Sequence, residues 1–338
     1  MRVLALIECP DHVCYRYRIA AFSEALRARG MTLTAEPLQH SGLPRWRQFL
    51  ALRQVDVVVL QRKVLSLSQT WLLRRCAKRL VFDFDDAVFQ RDSFSRKGSL
   101  SWQRTARFHS MVAAADTVLA GNDYLAGQAA ERCDPAKVHV IPTCVNPALY
   151  PLSSHRRRGA EVQLAWIGSS STLRGLRWAQ PWLTAVGQQL PGIGLRLICD
   201  ATLDTPDVHV MLRPWSSETE GEELAEADVG VSWLPDDSFT QGKCGLKVLQ
   251  YMAAGLPVVT NPVGVHPEFV VPGETGYLVS QPDEWAAAIS RLATDPELRR
   301  RMGQAGRRRV EQLYSVARWS DRFADLVAGC DTRVKLAG

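Results

Sequence analysis

The sequence of 338 residues contains no apolar run long enough for a membrane-spanning helix, which needs about 20 residues. The opening apolar run, residues 3–7, is short, ends before Glu8 and is followed by no small-residue cleavage site. Such a run is typical of a first buried strand and not of a signal peptide. The sequence therefore predicts a cytoplasmic protein.

Several spacings that carry chemistry are also missing. The eight cysteines include no CxxC pair, which argues against a zinc site and is typical of thiols in a reducing compartment. No GxGxxG turn follows the first apolar run, which argues against a nicotinamide-dependent dehydrogenase. No nucleic-acid-binding motif accompanies the basic residues, so we predict no nucleic-acid partner.

Acidic residues are scarce between residues 44 and 79, where nine Lys or Arg oppose the single acid Asp56. This segment carries a local charge of +8, which leaves −2 for the rest of a chain with net charge +6. Tryptophan, phenylalanine and leucine stand among these cations, which favours association with an anionic membrane surface, here the inner face of the cell membrane. A solvated helix face with its apolar side in the core explains the same pattern. The sequence leaves both interpretations open.

Short apolar runs alternate with helical patterns along the chain, which predicts parallel sheets with helices on both faces. A polar, arginine-rich stretch at residues 153–159 interrupts this pattern, which restarts at Val162. We therefore predict three segments: a Rossmann-like domain over residues 1–155, a second over 160–312, and a final helix, 313–338, that returns toward the first domain. Two such domains place a ligand cleft outside the carboxyl ends of their strands.

The most informative stretch is GKCGLKVLQYMAAGLPVVTNPVGVHPE, from Gly242 to Glu268. It predicts a glycine-bearing loop, a helix that stops at Gly255, a buried strand and a second glycine-containing turn. A loop that enters a helix directs backbone N–H groups and the positive helix end at one point, which suits a phosphate. Lys243 and Lys247 flank that point, and two cations there match a diphosphate. A solvated lysine pair at a helix start is the alternative.

This stretch resembles the donor-site signature of the GT-B glycosyltransferases, in particular family 4, the group 1 transferases. Four segments match the family in the right order: residues 115–122, 140–146, 166–169 and 242–268. The resemblance implies an α/β fold of the GT-B type, with two Rossmann-like parallel-sheet domains and an interdomain cleft. It also implies that the C-terminal domain holds a nucleotide-sugar donor.

Two departures from the family pattern concern the donor. The family has one glutamate at the donor sugar and a second at the nucleotide ribose, where this chain has Gly242 and Gln250. Gln250 keeps an amide oxygen for a ribose hydroxyl but carries no charge, and Gly242 supplies only backbone. We therefore expect Lys243 and Lys247 to take over part of the diphosphate neutralisation. The predicted donor-binding residues are Gly168, Ser169, Arg174, Trp215, Gly242, Lys243, Lys247, Gln250 and Glu268.

Trp215 has two interpretations, as a residue that covers the nucleotide base and as an ordinary core tryptophan. The acceptor is expected on the N-terminal domain, since in this fold the loop of residues 9–18 faces the cleft. Tyr15, Arg16 and Arg18 are its candidate contacts. Ordinary surface arginines are the alternative for that loop.

A run of three acids, in the sequence FDFDD, ends a predicted buried strand. Acids there are costly unless they are solvated, paired or functional. We expect Asp85 or Asp86 to orient an acceptor hydroxyl or to pair with an arginine of the 9–18 loop. Asp85, Asp86 and Lys243 are thus the candidate catalytic residues. A metal-binding DxD motif is the competing interpretation, but GT-B enzymes generally work without a bound catalytic metal, so we predict neither a metal nor a cofactor.

The sequence as a whole predicts a glycosyltransferase that moves a sugar from a nucleotide-diphosphate donor to a glycan, lipid-linked or small-molecule acceptor. The family resemblance implies retention of anomeric configuration. Two rivals remain. One is a transferase relic that binds nucleotide or glycan without turnover, prompted by Gly242 and Gln250. The other is a sugar-nucleotide epimerase on the same fold.

Overall fold

The computed structural model describes residues 1–330, which form two compact units. Unit 1 consists of Met1–Cys144, Gln241–Cys244 and the described chain from Val316 onward. Unit 2 consists of Val145–Thr240 and Gly245–Ser315. The chain therefore enters unit 1 three times, and one of these entries is only four residues long.

Each unit is built on one parallel sheet of six strands, ordered β2-β1-β3-β4-β5-β6 in unit 1 and β12-β11-β10-β7-β8-β9 in unit 2. The central strands of each sheet are apolar and buried, as parallel strands covered on both faces must be. The strands are β1 (Arg2–Ile7), β2 (Thr32–Pro37), β3 (Val57–Gln61), β4 (Leu80–Phe84), β5 (Thr117–Ala120), β6 (Val138–Val140), β7 (Gln163–Ile167), β8 (Gly194–Ile198), β9 (His209–Arg213), β10 (Val229–Ser232), β11 (Val258–Thr260) and β12 (Gly276–Leu278).

Helices connect successive strands. Several begin at a polar side chain that accepts a backbone N–H of the first turn, as Asn122 does from Leu125 N at 2.9 Å. The helices are α1 (Val13–Arg18), α2 (Ser23–Ala28), α3 (Leu43–Ala51), α4 (Leu67–Cys76), α5 (Trp102–Ala114), α6 (Asp123–Ala130), α7 (Ser170–Trp178), α8 (Gln180–Gln189), α9 (Glu220–Ala225), α10 (Leu246–Ala253), α11 (His266–Phe269), α12 (Pro282–Thr294), α13 (Pro296–Leu313) and α14 (Val316–Ala328).

The two units have separate hydrophobic cores. In unit 1 the rings of Phe22 and Phe323 stack at 4.3 Å, which fastens α14 to the core formed on β1 and β3. In unit 2 helices α8 and α12 cover the sheet through buried residues such as Leu183, Trp285 and Ile289. Each sheet is thus packed against its own apolar core.

Helices α1 and α7 are among those that the sequence did not predict. The sequence predicted a loop over residues 9–18, but Val13–Arg18 is helical because His12 Nδ1 accepts the N–H of Cys14 at 3.2 Å. Helix α7 was missed because its serine-rich start resembles a loop, and only Leu173 and Leu176 mark its buried face. Within residues 1–330, no helix is long and apolar enough to cross a membrane.

Candidate functional site

Charged side chains gather where β3 and β4 end in unit 1. Gln61 of β3 pairs with Asp83 of β4, so the residues that follow these strands lie at one edge of the sheet. Arg62 follows β3, and Asp85 and Asp86 follow β4. These side chains form one group with two others, Arg18 and Lys243. We call the whole group the strand-end cluster; its members are Arg18, Arg62, Asp83, Asp85, Asp86 and Lys243.

Arg18 and Asp83 form the buried base of the strand-end cluster. Arg18 Nη2 donates to Asp83 Oδ1 at 2.6 Å, and Nη1 donates to the carbonyl of Ile141. Their side chains are 1% and 0% exposed. Burial raises the pKa of Asp83 although the charge of Arg18 opposes the shift. Arg18 therefore has a structural partner inside the sheet edge, which leaves the predicted acceptor contacts of this loop to Tyr15 and Arg16.

Asp86 lies between two cations. Its Oδ2 accepts from Arg62 Nη2 at 2.9 Å and from Lys243 Nζ at 2.9 Å. Arg62 has a φ of 58°, a left-handed conformation that is uncommon for a residue with a side chain. Such backbone outliers cluster at functional sites. The partners of Asp86 are thus Arg62 and Lys243, whereas the sequence had suggested Arg16 or Arg18.

Asp85 pairs with fewer cations than Asp86 does. Its Oδ1 lies 3.4 Å from Arg62 Nη1 but is buried and makes no hydrogen bond. Burial raises the pKa of Asp85, and the charges of Arg62 and Arg18 more than offset this, so the net pKa is lowered. Asp85 is therefore an ionised carboxylate that retains capacity to accept a hydrogen bond.

The four residues Gln241–Cys244 belong to unit 1 because of the side chain of Asn122, which follows β5. Asn122 Nδ2 donates to the carbonyls of Gln241 and Lys243 at 3.1 and 3.2 Å. Gly242 sits so close that a Cβ there would lie 2.8 Å from the backbone nitrogen of Ala87. The glycine at the family's glutamate position is thus required by packing in this chain.

Tyr15 and Arg16, the other predicted acceptor contacts, lie on α1 and are half-buried. The guanidinium of Arg16 stands 5.0 Å from the centre of the Tyr17 ring. Partial burial raises the pKa of Tyr15. Both side chains therefore keep part of their surface exposed.

In unit 2, Lys247 lies in the first turn of α10, and its Nζ stands 4.8 Å from the centre of the Trp166 ring at the end of β7. Gly245, in a left-handed conformation with φ 60°, precedes this helix and provides no capping side chain. Gly168 allows the close packing of this region, since a Cβ there would lie 2.6 Å from the Trp166 ring. This arrangement puts a cation beside a helix N-terminus that no side chain caps.

The start of α7 is arranged differently. Ser169 N donates to Thr172 Oγ1 at 3.1 Å, and Asp200 accepts both the backbone N–H and the hydroxyl of Ser170. The hydrogen bonds from Ser170 lower the pKa of Asp200. The chain's own side chains thus occupy this helix start. Arg174 is exposed on the same helix.

Gln250 and Trp215 belong to one hydrogen-bonded network in unit 2. Gln250 Nε2 donates to Tyr150 Oη at 3.3 Å, and Tyr150 Oη donates to Glu220 Oε1 at 3.2 Å. Trp215 Nε1 donates to Glu220 Oε2 at 2.9 Å, while the Trp215 side chain stays 38% exposed. Trp215 is therefore not a core residue.

Glu268 lies on the short helix α11 with its side chain exposed, and its carbonyl accepts from Arg309 Nη2 at 2.6 Å. Among the described residues there is no group of three His, Cys, Asp or Glu side chains placed to hold a metal ion. The acids of the strand-end cluster are instead bound by Arg18, Arg62 and Lys243.

The sequence did not identify four residues as part of a site. Two lie in unit 1, Arg62 and Asn122, and two lie in unit 2, Tyr150 and Glu220. Arg62 could have been found, because it directly follows a predicted buried strand, as Asp85 does. Asn122 was noted only as part of a family segment. Tyr150 and Glu220 carry no local signal, since Tyr150 meets Gln250 from 100 residues away along the chain and Glu220 meets Tyr150 from 70.

Residues 223–309, from α9 into α13, match the family model described as "Glycosyl transferases group 1". The match covers 87 of the 338 residues, and this segment is similar to the group 1 glycosyltransferases. The match includes five of the nine predicted donor residues, namely Gly242, Lys243, Lys247, Gln250 and Glu268.

The chain is also similar to individual proteins. It is 37% identical over 206 residues to the MMP alpha-(1->4)-mannosyltransferase of Mycolicibacterium hassiacum, which covers 57% of this chain and 48% of that protein. The chain spans about half the length of the first curated relatives that it matches. About half of each relative is therefore not matched by this chain.

Two solved structures show the fold. Sucrose-phosphate synthase from Thermosynechococcus elongatus superposes with a TM-score of 0.71 at 18% identity, covering 97% of this chain and 100% of that one. HepE from Anabaena, in complex with UDP and glucose, gives 0.69 at 15% identity, with 97% and 100% coverage. The predicted GT-B fold class, with two Rossmann-like parallel-sheet domains, is confirmed.

Proposed function

We propose that this protein transfers a sugar from a nucleotide-diphosphate-sugar donor to a glycan, lipid-linked or small-molecule acceptor. The proposal includes retention of anomeric configuration and a reaction without a metal ion or cofactor. One observation carries it: in the segment similar to the group 1 family, Lys247 lies in the first turn of α10, after a glycine that leaves the helix start without a capping side chain.

The chemistry of sugar transfer explains why this arrangement is suitable. Breaking the bond between the anomeric carbon and the diphosphate develops negative charge on the leaving group. A fixed cation and a helix N-terminus stabilise that charge electrostatically. The neighbour HepE, whose structure contains UDP and glucose, supports a nucleotide of this kind as the ligand.

The test is a thermal-shift screen of the whole protein against UDP, GDP, dTDP, ADP and CMP, each with and without EDTA. A ligand at about 100 times its Kd should stabilise the protein by about 2.7 kcal/mol. We expect one nucleoside diphosphate to raise the melting temperature in both conditions, and the matching sugar nucleotide to be turned over with an unchanged anomer. No shift with any nucleotide would contradict the proposal, and a shift that EDTA abolishes would contradict metal independence.

For the acceptor end we propose Asp85, assisted by Asp86. Asp85 Oδ1 is buried without a hydrogen bond, and the lowered pKa of Asp85 favours the carboxylate form, which would accept the hydrogen of an acceptor hydroxyl that reaches it. Asp86 holds Arg62 and Lys243 beside it. We expect Asp85→Asn to lower kcat with little change in nucleotide affinity. Full turnover in both Asp85→Asn and Asp86→Asn would remove this role.

A relic that binds nucleotide without turnover is the second candidate, because Gly242 leaves no side chain at the family's sugar-binding glutamate. Such a protein would show the thermal shift but no sugar transfer, donor hydrolysis or epimerisation with any acceptor. An epimerase would instead release the C2 epimer of the donor sugar. The turnover assay therefore distinguishes the three activities.

We also propose that unit 1 attaches to an anionic lipid surface through α3 and α4. Six of the nine cations in residues 44–79 make hydrogen bonds or ion pairs within unit 1, namely Arg45, Arg62, Lys63, Arg74, Lys78 and Arg79. The exposed apolar side chains of α3 are Leu43, Trp46 and Leu50, at helical spacing with the exposed Arg47 between them.

Helix α4, which packs against α3, has a similar stripe in which Leu67 and Trp71 are 61% and 59% exposed. The guanidinium of Arg75 stands 5.4 Å from the centre of the Trp71 ring. Exposed tryptophan and leucine with neighbouring arginines match the headgroup region of an anionic membrane. This combination distinguishes the two stripes from a polar, solvated helix face.

Vesicle co-sedimentation tests the membrane proposal. The protein should sediment with vesicles that contain phosphatidylserine and not with pure phosphatidylcholine, and Trp46→Ala with Trp71→Ala should abolish this. Trp178→Ala is the matched control, because Trp178 is 54% exposed in unit 2. Equal sedimentation of all these proteins, or none by the wild type, would contradict the proposal.

A further inference from the structure

Glu220 is a buried carboxylate in unit 2 that none of the sequence motifs includes. It is 3% exposed, and both of its oxygens accept hydrogen bonds, one from Tyr150 and one from Trp215. Through Tyr150 it is also connected to Gln250. One carboxylate thus links Gln250 and Trp215, the two residues that the family resemblance predicts at the nucleoside end of the donor.

Donor and acceptor chemistry sets the direction of the hydrogen bonds from Tyr150 and Trp215. A carboxylate oxygen accepts, and an indole N–H only donates. Tyr150 must therefore donate its single proton to Glu220, and its oxygen accepts from Gln250 Nε2. As a result, the amide nitrogen of Gln250 faces Tyr150.

The backbone around Tyr150 is shaped for this contact. A Cβ at Gly221 would lie 2.3 Å from the carbonyl oxygen of Leu149, so only glycine lets this segment approach the start of α9. Arg307 Nη1 of α13 donates to the carbonyl of Tyr150 at 2.9 Å. The position of the Tyr150 hydroxyl is therefore set by two separate elements.

We propose that Glu220 is the positioning residue of the nucleoside end of the donor site, holding Trp215 directly and Gln250 through Tyr150. This inference rests on the proposed function. It also explains why residue 250 is glutamine where the family has glutamate. A glutamate there would face a hydroxyl whose proton is already donated to Glu220, and two buried carboxylates on one hydroxyl force one pKa upward.

The test is a double-mutant cycle of Gln250→Glu, Glu220→Gln and the two together, in the whole protein. We measure melting temperature and the affinity for UDP, GDP, dTDP and ADP by calorimetry. Glu220→Gln should weaken binding of the preferred nucleotide about tenfold, as expected for one hydrogen bond to a charged group. Gln250→Glu should weaken it more, and the double variant should regain at least about tenfold over Gln250→Glu.

A pH profile separates positioning from a general structural role. Gln250→Glu should bind nucleotide better as the pH falls, since protonation of the second carboxylate restores a donor for Tyr150. The double variant should not show this dependence. Additive effects of the two substitutions, or identical pH profiles, would overturn the proposal.

Tyr150→Phe removes the connecting hydroxyl and should weaken binding about as much as Glu220→Gln. Tyr277→Phe is the matched control, because the Tyr277 hydroxyl is buried in the same unit and makes no hydrogen bond. If the wild type binds no nucleotide, the proposed function fails. Additive melting temperatures in the cycle would instead remove the Glu220 network alone.

Discussion

The strand-end cluster of unit 1 and the Gln250 network of unit 2 use opposite means to hold polar groups inside the protein. In unit 1, buried arginines and a lysine neutralise three adjacent aspartates. In unit 2, a single buried carboxylate is satisfied by neutral donors, a tyrosine and a tryptophan. Removing one partner of a buried ion pair leaves an uncompensated charge, whereas removing one neutral donor costs a single hydrogen bond. We therefore expect the two regions to respond differently to substitution.

The largest effect should come from the base of the strand-end cluster. Asp83→Ala would leave the fully buried Arg18 without its carboxylate, which should lower the free energy of unfolding by about 3–5 kcal/mol. Urea titration measures this loss. Asp321→Ala is the control. The side chain of Asp321 is 87% exposed, so its ion pair with Arg29 should contribute at most about 1 kcal/mol. Equal losses would show that burial does not govern these pairs.

The second effect concerns His266, buried in unit 2, where burial lowers its pKa from 6.5 to about 4. The unfolded chain binds a proton between these values and the folded chain does not, so stability falls as pH drops from 6.5 toward 4. The loss should reach about 3 kcal/mol, at 1.36 kcal/mol per pKa unit. Urea titrations from pH 7 to pH 4 should show a shallower fall for His266→Gln. His40→Gln, an exposed control in unit 1, should keep the wild-type slope.

The two lysines test which region takes up the diphosphate. Lys247 stands beside the start of α10, whereas Lys243 is bound to Asp86 in unit 1. Lys247→Ala should weaken nucleoside-diphosphate binding by about 1.5–3 kcal/mol, the range for a hydrogen bond to a charged group. Lys243→Ala, for which the sequence also predicts a loss, should then have the smaller effect in calorimetry. The reverse order would mean that Lys243 leaves Asp86 for the ligand.

The smallest effect should come from Gly242. Gly242→Ala places a Cβ against Ala87 and should cost about 1–3 kcal/mol through overpacking. Gly127→Ala, on α6 with open space around it, should instead stabilise by about 0.5–1 kcal/mol. Opposite signs in thermal unfolding would confirm that Gly242 is required by packing. Matching signs would show that the segment moves away at little cost.

Much of the fold could be predicted before any coordinates. The strands at residues 55–60 and 80–84 were recognisable from β-branched or apolar runs, and β3 and β4 lie there. Helix α7 and helix α1 were missed, because their capping residues and short apolar faces give weak local signals. The candidate donor residues were found only through the family pattern, since isolated lysines and glutamines have no characteristic spacing.

The sequence by itself determined the alternation of strands and helices, the two α/β halves and the group 1 signature. All of these depend on residues close together in the chain, whose periodicity and turn residues act locally. Only the tertiary structure decided that Lys243 binds Asp86, 157 residues away, and that Tyr150 joins Gln250 to Glu220. The physical reason is that a buried charge or hydroxyl must take whichever partner the fold brings within hydrogen-bond distance.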